Sequence, residues 1–265
     1  MGQAGGGEDG SYSVIVDFAT FCYAGDAHRL HKPGQLEKQV ESNGYPFNKI
    51  FVIYQGFSNS NRPDKTFYHQ SVNDIPIYIV WVDDIDKTLI DNGIDISKSQ
   101  YVSDVDKAHT WKNHVVNHLV AAHYSQDLSK SDYIVFADND CWMIKQPMSW
   151  VEVGIEVLKA NPDAFIVSPN DGEPQRITQV ISQQMFLART DEFRQADFNQ
   201  PGYSGNPRDY PEMPEYHAMG EGRIHYHCVA SGKYRYVLPP EYRYFHHNRL
   251  NEDGTYKTNY SDYGL

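Results

Sequence analysis

The chain has 265 residues, with 23 Lys plus Arg against 35 Asp plus Glu and a formal net charge of −12. A composition of 40% hydrophobic and 22% charged residues excludes wholesale disorder, and the length is ample for a sizeable core. The acidity argues against general nucleic-acid affinity, and no apolar run approaches the roughly 18 residues of a membrane span. Cys22, Cys141 and Cys228 are odd in number and far apart, which speaks against a disulfide scaffold and fits a reducing cytoplasm. No basic-then-apolar N-terminus of the signal-peptide kind is present, and Met1-Gly2 has Gly6 where a myristoylation site has Ser or Thr.

Residues 1–12 are Gly-rich and polar and are expected to be a flexible leader. Ser13–Phe18 then predicts a buried strand, followed by a loop over Ala19–Lys32. Pro33–Ser42 predicts a helix with Pro33 in its first turn and Gly44 as its stop. Lys49–Tyr54 and Ile77–Val82 are short, β-branched and aromatic, and predict the next two strands. A long helix is expected from Asp106 to Tyr124, where Ala108, Trp111, Val115, Leu119 and Ala122 recur at helical steps. Tyr133–Ala137, Phe165–Ser168, Met185–Ala188, Tyr234–Leu238 and Arg243–His246 predict further strands, and Met148–Ala160 and Glu221–Ser231 predict helices. Residues 199–214, rich in Pro, Gly and Asn, predict a loop. The alternation of strand and helix predicts an α/β fold with a largely parallel sheet. One domain is expected over 13–250, with halves at 13–145 and 146–250, and a tail at 251–265.

The stretch with most chemical content is Asp132–Ile144, DYIVFADNDCWMI. An apolar strand ends in Asp138-Asn139-Asp140, and in open α/β sheets ligands gather at the carboxyl ends of strands. In extended chain, residues two apart face the same way, so Asp138 and Asp140 are expected to project together. Two close carboxylates repel unless a cation or protons lie between them. Oxygen ligands suit Mg²⁺ or Mn²⁺, which in turn grip phosphate oxygens. The plain alternative is a solvated Asp-Asn-Asp turn.

A long helix leading into strand-Asp-x-Asp resembles the centre of GT-A-fold nucleotide-sugar glycosyltransferases, in particular their inverting, family 2-like group. Lys107-Ala108 through Lys112-Asn113 is similar to the segment just upstream of that motif. The resemblance implies that Asp140 ligates the metal, while Asp138 contacts ribose, sugar or metal-bound water. Glu221, in Tyr216–Arg223 ahead of a helix, resembles the catalytic base, although the family's second acid is replaced by Gly222; Glu215 is the rival. Tyr244-Phe245-His246-His247-Asn248 stands where the family places a metal-ligating His. Neighbours on a strand point oppositely, so one of the pair is expected to serve, and His247 is preferred over His246.

The same resemblance implies nucleotide contacts from Thr20, Tyr23 and Arg29 in the first loop, and from Asp83 or Asp84 after the third strand. A plain polar loop and a helix cap are the corresponding bland readings. Lys107 and Lys112 are candidates to offset diphosphate charge, and Asp171 and Gly172 to border the donor sugar or acceptor. His225, His227 and Cys228 stand too close together on one helix to face one ion, so packing is their expected role. From Arg223 to Lys257, six Lys or Arg stand against three acids, interleaved with Tyr, as a possible basic surface.

The function implied is transfer of a sugar from a nucleotide diphosphate-sugar to a hydroxyl acceptor, with inversion, on Mn²⁺ or Mg²⁺. The acceptor would be a glycan, a small molecule or a modified DNA base. The alternatives are a sugar-phosphate nucleotidyltransferase, which the single glycine of Ala19–Lys32 disfavours, and a non-catalytic nucleotide-sugar or glycan-binding protein.

Overall fold

The computed structural model describes residues 13–23, 30–55, 71–91, 105–170, 176–178, 184–196, 198, 224, 227–228 and 230–246. Its centre is a nine-stranded sheet. In chain order the strands are β1 (Val16–Tyr23), β2 (Ile50–Gln55), β3 (Ser71–Val72), β4 (Ile75–Val82), β5 (Tyr133–Ala137), β7 (Ala164–Ser168), β8 (Arg176–Thr178), β9 (Met185–Arg189) and β10 (Tyr234–Val237). They lie side by side as β3-β4-β2-β1-β5-β9-β7-β10-β8. β4, β2, β1 and β5 are mutually parallel, and β10 is parallel to β7. β9 runs against both β5 and β7, so all six of those strands point one way. The short strands β3 and β8 run against the strands they border. A separate antiparallel ribbon pairs β6 (Cys141–Lys145) with β11 (Arg243–His246).

Helices cover both faces, as a mostly parallel sheet requires. Among the described residues the helices include α1 (Gln35–Glu41), α2 (Ile85–Asp91), α3 (Val105–Ser129), α4 (Trp150–Ala160) and α5 (Thr190–Gln195). Strand alternation splits the core in two. Val16, Phe18 and Cys22 of β1 join Leu36 and Val40 of α1 and Trp150, Ile155 and Leu158 of α4. Ala19 and Phe21 join Leu119 to Ala122 of α3, Phe193 of α5, Ile224 and Cys228 on the other side. This mostly parallel α/β sheet flanked by helices is the GT-A-like architecture expected from the sequence.

The first strand departs from its expected place. It spans Val16–Tyr23 rather than Ser13–Phe18, and residues 19–23 pair with β2 instead of forming a loop. As a central strand, β1 buries both of its faces, so its polar Thr20 lies against a helix rather than in water. α3 runs five residues beyond its expected end, and in this last stretch Ser125 donates to the buried Asp17 carboxylate at 2.6 Å. Asp17 also accepts from Asn48 Nδ2 at 3.1 Å, and its burial raises its pKa. Two residues of the HYHC run are described. His227 and Cys228 are buried, and His227 lies against Phe165 and Phe198. His225 lies outside the described residues.

No disulfide joins the cysteines, and all three are buried. Burial pushes the Cys228 thiol up to about 12 from its ordinary 9.0. The unfolded thiol ionises first, so this contribution to stability is present below about pH 9 and is lost as pH rises toward 12. The loss runs at roughly 1.4 kcal/mol per pH unit over that window. The difference in unfolding free energy between the wild type and Cys228→Ala should therefore narrow from about pH 8 to about pH 11. A constant gap in urea titrations would contradict this origin.

Candidate metal centre

The site is built where β5 hands over to β6. Asp138-Asn139-Asp140 is a tight turn rather than extended chain, closed by Cys141 N–H donating to the Asp138 carbonyl at 3.0 Å. The two carboxylates converge through that turn, and not through the two-residue period of a strand. The turn is not the solvated one of the bland reading either, since Asn139 and Asp140 are only 6% and 7% exposed.

A hydrogen-bonded frame fixes the turn from below. Thr20 Oγ1 on β1 donates to Gln39 Oε1 on α1 at 3.2 Å. Gln39 Nε2 donates onward to the carbonyls of Asp138, at 2.5 Å, and Cys141, at 3.0 Å. Gln35 Nε2 reaches the Asn139 carbonyl at 3.4 Å, and Asp138 N–H donates to the Gln184 carbonyl at 2.8 Å. Ser42, at the end of α1, accepts from Met143 N–H at 3.0 Å, which ties β6 to the same helix.

β11 brings the fourth element. Its register sets His246 opposite Cys141, beside the turn. Asn170, beyond β7, holds β11 in place by donating its N–H to Tyr242 O at 2.7 Å and accepting from Tyr244 N–H at 3.1 Å. Trp142 and Phe245 stack at 4.2 Å, and Lys38 Nζ lies 3.8 Å from the Trp142 ring centre. The outcome is a cluster of one ligand atom each from Asp138, Asp140, Cys141 and His246, all within 4.8 Å of one another. His246 Nε2 stands 3.7 Å from Asp140 Oδ1, beyond hydrogen-bond length, and both side chains are 9% exposed. A buried carboxylate and a half-buried one with an imidazole and a thiol are metal-ligand chemistry, so the donor set fits a divalent ion.

Of the two candidate histidines, His246 is therefore in the cluster, while the preferred His247 lies outside the described residues. Thr20 is fully buried and its hydroxyl is spent on Gln39, so it supports the turn from inside the sheet rather than meeting a nucleotide. Tyr23 ends β1 half-buried, with its hydroxyl accepting from Asn117 Nδ2 at 2.8 Å. Asp84 caps α2, its Oδ1 accepting from Lys87 N–H at 2.9 Å, while Asp83 is exposed at the end of β4. Lys107, Lys112 and Asn113 lie on α3, whose backbone alone is described there. Arg29, Asp171, Gly172, Glu215 and Glu221 lie outside the described residues. Of the six cations counted toward the expected basic surface, Arg223, Arg249 and Lys257 lie outside the described residues. Arg235 is 1% exposed and donates to Ser168 Oγ, and Lys233 pairs with Glu192. None of the four cluster residues lines the cavity of about 280 Å³ beside α1, which is bordered by His31, Lys32, Gly34 and Ile77.

Sequence reasoning missed Gln39 and Cys141. Gln39 carries no motif, since its role depends on a helix crossing under a turn about one hundred residues away. Cys141 directly follows the Asp-x-Asp triplet, and that adjacency was the available signal. If Gln39 only props the fold, Gln39→Leu will lower stability alone. We expect more: three groups each lose a hydrogen bond, costing about 1–3 kcal/mol, and the loosened turn should bind Mn²⁺ roughly 10–100-fold more weakly. Calorimetry beside a denaturant titration separates the two, and unchanged Mn²⁺ affinity would reduce Gln39 to a structural part.

No protein-family model matches the chain, and no curated protein matches it. Among solved structures it is similar to mouse xyloside xylosyltransferase 1 in its apo form, at 8% identity and a TM-score of 0.45, over 85% of this chain and 84% of that one. It is also similar to S. aureus TarS, at 11% identity and a TM-score of 0.47, over 88% of this chain and 36% of that one. A third is the galactosyltransferase LgtC in complex with donor and acceptor sugar analogs, at 10% identity and a TM-score of 0.42, over 84% of this chain and 73% of that one. On its own sheet, with six strands aligned, helices on both faces and an Asp-x-Asp turn at the carboxyl end of central β5, the chain has a GT-A-like α/β fold.

Proposed function

We propose that the protein is a metal-dependent glycosyltransferase that moves a sugar from a nucleotide diphosphate-sugar to a hydroxyl acceptor with inversion. The observation that supports this reading is the convergence of Asp138, Asp140 and His246 at the carboxyl end of β5. These residues would hold Mn²⁺ or Mg²⁺, which supplies Lewis-acid stabilisation of a departing diphosphate. The protein's own part is positional and basic. Gln39 and Thr20 keep the turn rigid, so the carboxylates need no rearrangement to receive a ligand. Glu221 takes the acceptor's hydroxyl proton as general base while that oxygen attacks the anomeric carbon. One displacement inverts that carbon. A glycan or small-molecule hydroxyl suits the net charge of −12 better than a modified DNA base.

The experiment is a thermal-shift panel of nucleoside diphosphates with and without Mn²⁺. A matching nucleotide at saturating concentration should raise the midpoint by roughly 5–10 °C, and only when the ion is present. If no nucleotide moves the midpoint under either condition, the donor class is wrong.

A further inference from the structure

We propose that Cys141 is a fourth ligand of this centre, and that Asp138, Asp140, Cys141 and His246 together form a closed site for Zn²⁺ or a zinc-like ion, which displaces the harder cation and blocks the transfer reaction. The inference rests on the metal-site reading above and names a regulator of that same site.

The argument begins with reach. Cys141 is the residue after Asp140 and sits opposite His246 in the β6–β11 ribbon, so its side chain enters the cluster from a fixed strand. Its Sγ lies 3.8 Å from Asp140 Oδ1, and His246 Nε2 lies 3.7 Å from that same oxygen. A tetrahedral ion with bonds of about 2.0–2.3 Å spaces its ligand atoms roughly 3.3–3.6 Å apart. An octahedral Mg²⁺ with bonds of about 2.1 Å spaces neighbouring ligand atoms roughly 3.0 Å apart and opposite ones roughly 4.2 Å apart. These two separations need to close by only a few tenths of an ångström for the first ion and by about 0.7–0.8 Å for neighbouring positions of the second, while the whole cluster lies within 4.8 Å.

Donor chemistry points the same way. Mg²⁺ takes oxygen and keeps several waters, whereas thiolate and imidazole select zinc and its neighbours. Across the first-row divalent ions, a site of this kind binds Co²⁺ and Zn²⁺ above Mn²⁺. Burial adds to the preference. Cys141 is fully buried, the side chains of Asp140 and His246 are 9% exposed and Asp138 is half-buried, leaving little room for the water shell that a hard ion retains. As the Sγ–metal bond forms, the thiol proton leaves to solvent. Four protein ligands complete a tetrahedron and leave no position for a diphosphate oxygen, which is the difference between a closed and a catalytic zinc site. No other group of this kind occurs among the described residues.

Co²⁺ gives an optical test on the full chain. One equivalent should produce intense tetrahedral bands in the visible and a sulfur-to-cobalt charge-transfer band in the near ultraviolet. One equivalent of Zn²⁺ should bleach both, and excess Mg²⁺ should leave them. Cys141→Ser and Cys141→Ala should lose the near-ultraviolet band, and their Zn²⁺ affinity should fall by more than the roughly 10–100-fold that loss of an outer-shell partner costs. The alanine variant keeps the position apolar in case a buried hydroxyl unfolds the chain. X-ray absorption of the zinc-loaded wild type needs no variant and should report one sulfur at about 2.3 Å. Absence of Co²⁺ binding, binding without the charge-transfer band, a band that survives in a folded Cys141 variant, or a zinc shell without sulfur would each overturn the proposal. Sugar transfer is scored separately. A chain that shows the band but moves no sugar loses only the function proposed above, and one that moves sugar without the band loses only this inference.

Discussion

Asp140→Ala is expected to abolish cation-dependent binding of nucleoside diphosphates while leaving the fold in place. The hydrogen bonds traced above hold the turn by its backbone. Those run through the carbonyls of Asp138, Asn139 and Cys141 and through the N–H groups of Asp138 and Cys141. What the substitution removes is the carboxylate central to the cluster, the one approached at 3.7 Å by His246 and at 3.8 Å by Cys141. Loss of a direct ligand should cost at least about 100-fold in Mn²⁺ affinity, above the range known for outer-shell partners. Removing a buried negative charge also relieves desolvation, so the variant should be no less stable than the wild type in the absence of metal. Asp138→Asn should be milder, because the amide keeps an acceptor oxygen and Asp138 is the more exposed of the two. Calorimetric titration of Mn²⁺ with a nucleoside diphosphate decides the matter. A folded Asp140→Ala protein with undiminished Mn²⁺ dependence would remove the metal from this turn.

The sheet was legible because its strands are apolar on both faces. β5 and β11 begin and end where the sequence places them, and β2, β4, β7 and β9 shift by at most two residues at either end. β1 was misplaced because Ala19-Thr20-Phe21-Cys22-Tyr23 lacks a β-branched run, and only its position between β2 and β5 makes it a strand. α5 was hidden because its six residues bury only Thr190 and Phe193, too few to show a period. β6 was overlooked for the same reason that its site was half-seen. The attention drawn by Asp138-Asn139-Asp140 ended at the turn, while the pairing of Cys141–Lys145 with Arg243–His246 is long-range and leaves no local mark.

The same contrast governs the site. Carboxylates after an apolar strand are visible from sequence, since the strand's end is where a parallel sheet exposes its loops. The frame beneath them is not visible, because Thr20, Gln39 and Gln184 are joined to the turn only by the fold. Arg235 illustrates the opposite error. A cation counted toward a surface patch is in fact buried, bonded to Ser168 on the neighbouring strand. Charge counts along the chain do not know which face of a strand they fall on.

Glu221→Gln should lower kcat by roughly 10²-fold or more while leaving donor binding nearly constant. A general base acts on the proton of the acceptor hydroxyl in the transition state, so its loss appears in turnover rather than in the affinity for a nucleotide diphosphate. Glutamine is the informative replacement because it preserves size and hydrogen bonding and removes only basicity. The residue's setting in the sequence suits the role. Three positions later in the chain, Ile224 is helical and buried in the core shared with α3 and α5. A carboxylate at the start of a helix is stabilised as the anion, and so is ready to accept a proton at neutral pH at some cost in basicity. Glu215 is the competing candidate, and the paired variants separate them. If Glu215→Gln stops turnover and Glu221→Gln does not, the base is Glu215 and the rest of the mechanism stands. If both variants turn over at the wild-type rate, no base of this segment takes the proton, and inversion by a single displacement loses its support. The anomeric configuration of the product, read by NMR from the wild-type reaction, then decides between inversion and retention independently of either residue.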